Sequence, residues 1–339
     1  MKPRVSIIIV NWNGLEHLAV CLDSLSAQTF RDFEVIIVDN GSSDGSVGFL
    51  REHYPWVKLV ELKENTGFAT GNNVGLTHAS GEYIVALNND TRADENWLAT
   101  IVAVADSDPR VGMVGSRICS FDEPDRIDSL GHGVCRDGMS RGRFRLKRYS
   151  AMNMAEVEEI LFPSACVALY RRTMLDETGF FDDDFFAYAE DTDLGLRCRL
   201  AGWQALLATQ AVVYHKYSRT GGVFSPFKLY LVERNHYWVA LKCFPLSMLL
   251  LVPFFTLVRY LEQARAVIFA SGSGGEFLAS GSRNALLKAI AKGTWDALCG
   301  APAMLKKRAL VMGKRKVSGR EMARLLRRYR MSFKELLDR

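Results

Sequence analysis

The chain contains 339 residues, of which 48% are hydrophobic, so it can bury a large core and is not a disordered protein. Its seven cysteines form an odd set without a CxxC pair or zinc-like spacing, which argues against a disulfide framework and a structural zinc site. The formal net charge is +5, but residues 283–339 carry 16 Lys and Arg against 4 Asp and Glu, whereas residues 1–282 are net acidic, which indicates two parts with different roles.

Four short apolar runs rich in β-branched residues, at residues 5–10, 34–39, 57–62 and 83–87, are separated by segments of helical length. Such runs are typical of strands buried on both faces. Their alternation with helices predicts a mostly parallel, Rossmann-like α/β sheet, in which ligands bind beyond the carboxyl ends of the strands. The first run is too short for the apolar core of a signal peptide, so we expect a cytoplasmic chain.

A polar loop follows each of these four predicted strands. Because the carboxyl ends of parallel strands meet at one edge of a sheet, the loops are predicted to converge there. The loops are Asn11-Trp12-Asn13, Asp39-Asn40-Gly41-Ser42-Ser43-Asp44, Asn65-Thr66-Gly67 and Asn88-Asn89-Asp90.

The pattern changes beyond the fourth strand. Residues 117–160 show little periodicity and predict an insertion over the loop edge, after which residues 162–170 predict a further buried strand. Residues 194–202 predict a helix that follows an acidic first turn and ends at a glycine, and residues 205–215 predict a final strand. The glycine-rich residues 272–281 predict a linker.

The second polar loop has two possible roles. Asp39 can accept a hydrogen bond from a nucleobase N–H, and Asp44 can cap the next helix. The alternative is a tight turn with a helix cap and no ligand. The three other polar loops beside it favour nucleotide binding.

Asp90 and His215 are the predicted metal ligands. A carboxylate on a rigid strand end can hold Mg²⁺ or Mn²⁺ while the phosphates of a nucleotide complete the oxygen shell, and His215, at the end of the last predicted strand, could bind the same metal or a phosphate. The alternatives are a helix cap for Asp90 and a structural role for His215. The neighbouring amides of Asn88 and Asn89 favour the functional interpretation of Asp90.

Three carboxylates, Glu190, Asp191 and Asp193, lie within four residues and directly follow an aromatic segment. Mutual repulsion and burial would raise the pKa of at least one of them, as a general base near neutral pH requires. Acidic residues in a first helical turn instead tend to have a lowered pKa, because they interact favourably with the helix dipole. The sequence leaves the sign open.

Six ordered motifs resemble those of the family 2 inverting glycosyltransferases, and within that family those of the bacterial rhamnosyltransferase-like branch. The similarity extends from about residue 4 to residue 240. The motifs are Val5-Ser-Ile-Ile-Ile-Val-Asn-Trp-Asn13, Val38-Asp-Asn-Gly-Ser-Ser-Asp44, Asn65-Thr-Gly-Phe-Ala-x-Gly-x-Asn73, Leu87-Asn-Asn-Asp-Thr91, Gly179-x-Phe-Asp182 and Phe185-Phe-x-Tyr-x-Glu-Asp-x-Asp-Leu194.

The resemblance implies a GT-A type fold and transfer of a sugar from a nucleotide diphosphate to a hydroxyl group, with inversion at the anomeric carbon. It places Asp39 near the base, Asp90 on the divalent metal and Asp191 as the base that takes the acceptor proton. The family often has Asp-x-Asp at the metal, whereas Asn88 occupies the first position here. The residues expected around the donor nucleotide are Asn11, Asn13, Asp39, Asn40, Ser42, Asn65, Gly67, Asn73, Asn88 and Asn89.

The acceptor side is less defined. The resemblance implies that Glu190 and Asp193 bind or orient the acceptor. Arg234 and Asn235 are expected near it, where the guanidinium could clamp a phosphate or only mark a membrane-interface collar. The branch suggests dTDP-L-rhamnose as the donor, with galactofuranose, glucose or another deoxysugar as alternatives, and a glycan or lipid-linked acceptor in cell-surface polysaccharide synthesis.

The C-terminal part is predicted to be helical and membrane-associated. Residues 243–258 lack charge but are too short and too interrupted by proline to span a bilayer, so they predict an interfacial hairpin. The basic tail suits an anionic lipid surface at the cytoplasmic face of the bacterial inner membrane. The predicted parts are a catalytic domain at 1–238, the hairpin at 239–270 and the tail at 271–339.

Other interpretations remain for the tail and for the whole chain. The tail could be a packed helical pair with a solvated basic face, whereas nucleic acid is not expected, since no nucleic-acid-binding fold is visible. A nucleotidyltransferase would carry a basic phosphate loop after its first strand, which Asn11-Trp12-Asn13-Gly14 lacks. An inactive scaffold subunit would lack Asp90 or Asp191, and both are present. The sequence carries no indication of an oligomeric state.

Overall fold

A ten-stranded mixed sheet forms the centre of the protein in the computed structural model, which describes residues 2–216, 225–268 and 283–337. The predicted linker at 272–281 lies outside these ranges. The strands of this sheet are β1 (Val5–Asn11), β2 (Phe33–Asn40), β3 (Lys58–Leu62), β4 (Tyr83–Leu87), β5 (Thr91–Ala93), β6 (Val111–Ser120), β7 (Ile127–Ser129), β10 (Val157–Glu159), β11 (Val167–Arg171) and β12 (Gln204–His215), and a separate hairpin joins β8 (His132–Val134) to β9 (Ser140–Gly142).

The four predicted N-terminal strands form the parallel part of the sheet, in the order β3-β2-β1-β4. Asn11 at the end of β1 lies opposite Asp39 in β2, so the loops that follow these strands begin at the same level. Ile7 and Ile9 pack on one face of β1 and Ile8 packs on the other, all fully buried. The prediction of parallel strands buried on both faces is therefore confirmed.

Helices cover both faces of the sheet. In the N-terminal two thirds of the chain they are α1 (Leu15–Ser26), α2 (Ser46–His53), α3 (Gly67–His78), α4 (Trp97–Asp106), α5 (Arg172–Thr178) and α6 (Glu190–Leu200), with short 3₁₀ turns at Tyr149–Ala151 and Asp183–Phe185. Helix α6, predicted over residues 194–202 with an acidic first turn, begins earlier, at Glu190, and ends at Leu200, before Gly202. All three carboxylates of the acidic cluster therefore lie in its first turn.

The second half of the sheet differs from the expectation in two respects. The strand predicted over residues 162–170 begins only at Val167, because Pro163 has no N–H to donate and a turn closed by a hydrogen bond from Val167 N to Ser164 O follows it. β11 then runs antiparallel to β4 and β6. The predicted insertion at 117–160 is partly regular, since β7 and β10 extend the main sheet while β8 and β9 form the hairpin.

In the described residues, six helices follow β12: α7 (Pro226–Cys243), α8 (Leu246–Leu249), α9 (Val252–Ile268), α10 (Arg283–Gly313), α11 (Gly319–Arg328) and α12 (Phe333–Leu337). Helix α7 continues through the predicted domain boundary at 238/239, and α8 and α9 form the segment predicted as a hairpin. None of the helices in the described ranges is both long and apolar enough to cross a bilayer.

The basic tail packs against the rest of the protein through specific polar contacts. Trp238 of α7 is buried against α10 and donates from Nε1 to the carbonyl of Ala297. Lys307 of α10 pairs with Asp182, which also pairs with the buried Lys242. Burial opposes ionisation of Asp182, but the two ammonium groups outweigh it and lower the pKa of this carboxyl to about 2.

The Asp182 ion pairs predict a specific dependence of stability on pH. Because the pKa is lower in the folded chain than in the unfolded chain, this carboxylate stabilises the fold fully above about pH 4 and loses that contribution as the pH falls toward 2. We expect the loss to be about 2 kcal/mol, measured by urea unfolding across that range. Asp182→Asn should lack this component, and Asp176→Asn, at an exposed position of α5, should keep it. Equal pH dependence in wild type and Asp182→Asn would contradict the assignment.

Candidate active site

Buried hydrogen bonds join the loops that follow β1, β2 and β4. Asn11 Nδ2 donates to Asp39 Oδ1 at 3.1 Å and to Ser42 Oγ at 3.3 Å. Asn11 Oδ1 accepts from Asn89 Nδ2 at 2.7 Å. Gly14 permits this approach, because a Cβ atom there would lie 2.1 Å from Asn89 Nδ2. The structure therefore brings three of the four predicted loops together at one edge.

The loop after β3 joins this edge through Asn40. Asn40 Nδ2 donates to Asn65 Oδ1 and to the carbonyl of Gly67, both at 3.1 Å. Gly67 has a φ of +89°, and a Cβ atom there would lie 2.5 Å from the carbonyl oxygen of Phe186. Only glycine fits this position, which fixes the loop after β3 against the segment that precedes α6.

Asn13 and Trp12 form the exposed rim of the edge. The backbone N–H of Asn13 donates to Ser42 Oγ at 2.9 Å, and its Oδ1 accepts from the backbone N–H of Ser43 at 2.8 Å. Trp12 is 39% exposed beside them. Such an indole offers a planar face on which a nucleobase can stack.

The remaining predicted donor residues differ in position. Asn88 is half-buried where β4 ends. Asn73 lies on α3 and donates from Nδ2 to the carbonyl of Phe181 and to Asp183 Oδ1, both at 2.8 Å. It therefore attaches α3 to the segment before α6 and does not belong to the network around Asn11.

Asp90 and His215, the two predicted metal ligands, lie side by side. The strand after Asp90, β5, pairs with the end of β12, so His215 Nε2 lies 3.3 Å from Asp90 Oδ1. Asp90 does not cap α4, whose N-cap is Asn96. His215 Nδ1 lies 2.7 Å from Asp128 Oδ2, which is the type of second contact that orients a metal-binding imidazole.

The donor set at Asp90 fits a divalent cation. Its buried Oδ1, 3.3 Å from His215 Nε2, meets no donor of good hydrogen-bond geometry among the described residues. Burial opposes ionisation of Asp90, but His215 outweighs it and lowers the pKa of the carboxyl. Burial lowers the pKa of His215, whereas Cys166, Asp128 and Asp90 raise it, and the net pKa lies well above the ordinary value. A cation would therefore compete with a proton for the imidazole. Within the described ranges no three His, Cys, Asp or Glu side chains form a metal site.

Asp191, the predicted general base, lies beside the loop that carries Asp90. Its Oδ2 accepts from the backbone N–H of Ala165 at 3.3 Å. The carbonyl of the next residue, Cys166, accepts from the backbone N–H of Asn88 at 2.9 Å. His132 of β8 places its Nε2 4.0 Å from Asp191 Oδ2. The Asp191 side chain is 12% exposed, so part of the carboxylate can reach a substrate.

Glu190 shows the direction of the pKa shift that the sequence leaves open. Its pKa lies well above the ordinary value, chiefly because the side chain is buried and then because the Asp191 and Asp193 carboxylates repel its charge. Burial and repulsion therefore outweigh the helix dipole at this position. The protonated form of the Glu190 carboxyl is therefore favoured relative to an exposed glutamate.

Asp193 is paired with cations in the interior of the protein. It is fully buried, its Oδ2 accepts from Arg197 Nε at 2.8 Å, and its Oδ1 lies 2.7 Å from Lys242 Nζ. The direct acceptor contact implied for Asp193 is not available in this arrangement, because two cations already occupy its oxygens. The residue instead fixes α6 against α7.

Asn235, predicted on the acceptor side, is buried under residues 185–189. Its Nδ2 lies 3.0, 2.9 and 2.7 Å from the carbonyl oxygens of Phe185, Ala187 and Tyr188. Three of the five residues in this segment have φ between 62° and 68°, a region that L-residues seldom adopt. The amide therefore stabilises a strained segment that leads directly into the first turn of α6.

Arg234 has a related role. Its Nη2 donates to the carbonyls of Asp184 and Phe185 at 2.9 and 3.1 Å, and its guanidinium carbon lies 4.2 Å from the ring centroid of Trp238. Arg234 thus supports the segment before α6, and the phosphate clamp and the interfacial collar stay predictions.

Residues 6–179, about half of the chain, match the model of the Glycosyl transferase family 2. The matched range contains all four polar loops and Asp90. The chain belongs to the family 2 glycosyltransferases. Asp191 and His215 lie beyond the matched range, so their assignment depends on the geometry described above.

The enzyme is similar to proteins with related activities. It is 28% identical over 243 residues to an N-acetylglucosaminyl-diphospho-decaprenol L-rhamnosyltransferase of Mycobacterium tuberculosis, covering 65% of this chain and 79% of that protein. GalNAc-T7 with UDP, GalNAc and Mn²⁺ has a TM-score of 0.60 and 16% identity, over 73% of this chain and 49% of that one. Mannosyltransferase PcManGT from Pyrobaculum calidifontis with GDP-Man and Mn²⁺ has a TM-score of 0.50 and 21% identity, over 93% and 86%. These likenesses confirm the GT-A-like α/β fold.

Two polar residues of the glycosyltransferase site escaped the sequence analysis. Asp128 and His132 both belong to the insertion at 117–160, where no periodicity or motif distinguishes them. The available signal was their residue type in a segment predicted to cover the loop edge.

Asn235 provides a test of how the base is positioned. Asn235→Ala leaves three carbonyls without their amide donor, and a shift of the following turn would displace Asp191, so we expect kcat to fall ~100-fold and the free energy of unfolding to fall by about 1–3 kcal/mol. Steady-state kinetics and urea unfolding measure the two effects. Asn284→Ala, at an exposed position of α10, is the matched control. An Asn235→Ala enzyme with unchanged kcat would show that the segment keeps its shape without the amide.

Proposed function

We propose that this glycosyltransferase transfers a sugar from a nucleotide-diphosphate donor to an acceptor hydroxyl in a single displacement that inverts the anomeric configuration. The observation that carries the proposal is the short turn at Ala165–Cys166. One of its residues binds the Asp191 carboxylate and the next binds the backbone of Asn88. A base and the loop that carries Asp90 are therefore held on either side of one turn, as a reaction between an acceptor and a donor diphosphate requires.

Asp191 would remove the proton from the acceptor hydroxyl as its oxygen attacks the anomeric carbon. The bond from that carbon to the diphosphate oxygen breaks in the same step, and the nucleoside diphosphate leaves with the bonding electron pair. His132, with its Nε2 4.0 Å from Asp191 Oδ2, is placed to orient the Asp191 carboxylate. The raised pKa of Glu190 favours its protonated form, which can donate a hydrogen bond to a substrate oxygen.

Asp90 and His215 are proposed to hold a divalent cation, Mg²⁺ or Mn²⁺. When bound, the cation supplies positive charge that stabilises the departing diphosphate. The proximity of Asp90 Oδ1 to His215 Nε2 and the contact of His215 with Asp128 support this assignment. Asn11, Asp39 and the rim residues Trp12 and Asn13 are proposed to form the nucleotide side.

The proposed donor is dTDP-L-rhamnose, with galactofuranose, glucose or another deoxysugar nucleotide as the alternative. The mycobacterial relative, named as an L-rhamnosyltransferase, supports this choice at 28% identity. The proposed acceptor is a glycan or a lipid-linked saccharide in bacterial cell-surface polysaccharide synthesis, since the same name includes a diphospho-decaprenol group.

We propose that the enzyme acts at the cytoplasmic face of the inner membrane. Support comes from the exposed apolar side chains of α8 and α9, which include Leu246, Leu250 and Phe254, beside a strongly basic tail. The division into residues 1–238, 239–270 and 271–339 is kept as a description of function.

Release of nucleoside diphosphate from a panel of nucleotide sugars, with bacterial lipid extract as the acceptor source, tests the reaction. We expect one donor to be turned over by the wild type, and kcat of Asp191→Asn to fall at least ~100-fold with little change in donor affinity. Asp94→Asn, an exposed carboxylate after β5, is the matched control. Binding without turnover of any donor by the wild type would instead favour an inactive scaffold subunit.

Metal removal tests the role of Asp90. Dialysis against EDTA should abolish nucleoside diphosphate release, and Mn²⁺ or Mg²⁺ should restore it. Asp90→Asn should require at least ~10-fold more metal for half-maximal activity, measured by titration of the apoenzyme. Activity that survives EDTA in both proteins would refute the metal assignment.

A further inference from the structure

A cavity of about 790 Å³ lies away from the loop edge, between the end of α6, the short helix α8 and the segment that joins α10 to α11. Five arginines line it, and no Asp or Glu does. Its walls are otherwise mainly apolar, with Leu246 and Met312 among them. The arginines are Arg308, Arg315, Arg320, Arg324 and Arg327.

These arginines differ from the other cations of the tail in their partners. Lys307 pairs with Asp182, Lys316 with Glu177 and Arg328 with Glu159. Those contacts attach the tail to the catalytic part. By contrast, none of the five cavity arginines forms an ion pair with a carboxylate in the part of the chain that the structure describes.

The positive charge of the cavity is thus concentrated and uncompensated. Arg308 donates only to main-chain carbonyls, those of Leu241 and Phe244 at 2.9 and 2.8 Å. Burial is the main cause of the lowered pKa of Arg308; Cys243 opposes the shift and the neighbouring Arg315 adds to it. An anion in the cavity would pair with these guanidinium groups.

An exposed apolar surface continues from the cavity. Leu250, Phe254, Leu257 and Leu261, here called the α9 stripe, follow the spacing of one helical face and are 57–73% exposed. A second cavity of about 340 Å³ lies on the other side of α8, shares Arg327 with the first, and is lined by Leu251 and Phe255. The two cavities, which share Ser247 and Arg327, therefore connect the arginines to the start of α9.

The opposite face of α9 is fixed inside the protein. The fully buried Arg259 donates to Asp137 Oδ2 at 2.6 Å and to Glu233 Oε1 at 2.9 Å. These contacts set the rotation of the helix about its axis. They hold the α9 stripe outward, so its exposure does not result from a loosely packed helix.

We propose that the arginine-lined cavity binds the phosphate headgroup of an anionic phospholipid while the α9 stripe enters the acyl region of the same leaflet. Guanidinium groups match phosphate geometry, and the apolar stripe beside them matches the acyl chains to which a phospholipid headgroup is attached. A free phosphate or a nucleic acid would leave the stripe in water. A second copy of this chain would place two sets of uncompensated arginines against each other. The inference rests on the proposed function only in placing the enzyme at a membrane.

Vesicle sedimentation tests this inference with the full-length enzyme. Wild type should bind phosphatidylglycerol–phosphatidylcholine vesicles far more tightly than vesicles of phosphatidylcholine alone. The triple variant Arg315→Gln, Arg320→Gln, Arg324→Gln should bind the anionic vesicles ~100-fold more weakly. The matched control Arg31→Gln, Arg51→Gln, Lys58→Gln removes the same charge from exposed positions that are distant in sequence from the cavity. Its affinity for the anionic vesicles should fall less than ~3-fold.

Two further variants separate a binding role from a structural one. Replacement of the same three arginines, Arg315, Arg320 and Arg324, by lysine should retain most of the vesicle binding, because the charge is kept. Leu250→Gln with Phe254→Gln should weaken binding ~10-fold without removing the preference for anionic lipid. Thermal unfolding verifies that each variant is folded, and release of nucleoside diphosphate without vesicles reports the proposed transfer reaction separately.

Three results would overturn the inference. The first is equal binding by the triple variant and its control, and the second is equal binding of wild type to both types of vesicle. The third is a wild-type dimer that binds no vesicles and dissociates on Leu250→Gln, which would identify the stripe as an interface between copies. None of these results depends on whether a donor is turned over.

Discussion

The buried amide of Asn235 contacts the carbonyls of Phe185, Ala187 and Tyr188. It thereby holds a segment in which Phe186, Tyr188 and Ala189 adopt a backbone conformation that L-residues do not favour. Asp191 follows this segment directly, so its position depends on that amide. The same segment contacts the donor side, because the backbone N–H of Ala69 donates to the carbonyl of Phe186 at 3.0 Å. One side chain on α7 therefore fixes both the position of Asp191 and the contact of the preceding segment with α3.

Charged residues of opposite sign lie on different sides of the protein. Three carboxylates near the loop edge and in α6 each have a distinct partner: His215 lies beside Asp90, His132 lies near Asp191, and two buried cations pair with Asp193. Ion pairs such as Lys307 with Asp182 join the tail to these elements, and uncompensated arginines occupy the far side. The segregation of charge along the sequence thus becomes a separation in space, with an acidic reaction site and a basic outer surface.

Local patterns predicted the elements whose burial is determined by their own residues. The strands β1 to β4 and β12, the helix at Glu190 and the convergence of the polar loops follow from apolar periodicity and from parallel pairing. The start of β11 was misplaced because apolar residues around Pro163 are buried without forming a strand. The roles of Asp193, Arg234 and Asn235 could not be predicted, since they depend on how α7 packs beneath the segment before α6, and this packing has no signature in nearby sequence.

Helix α7 carries, within one helical turn, Asn235, which supports the segment before α6, and Trp238, which contacts the tail. These two contacts serve different parts of the protein but belong to one helix. An exchange of C-terminal parts between relatives that joined them at residue 238 would interrupt the helix at this turn. The exchangeable part is therefore smaller than the predicted division at residue 238 implies, and a junction beyond Cys243 leaves both contacts intact.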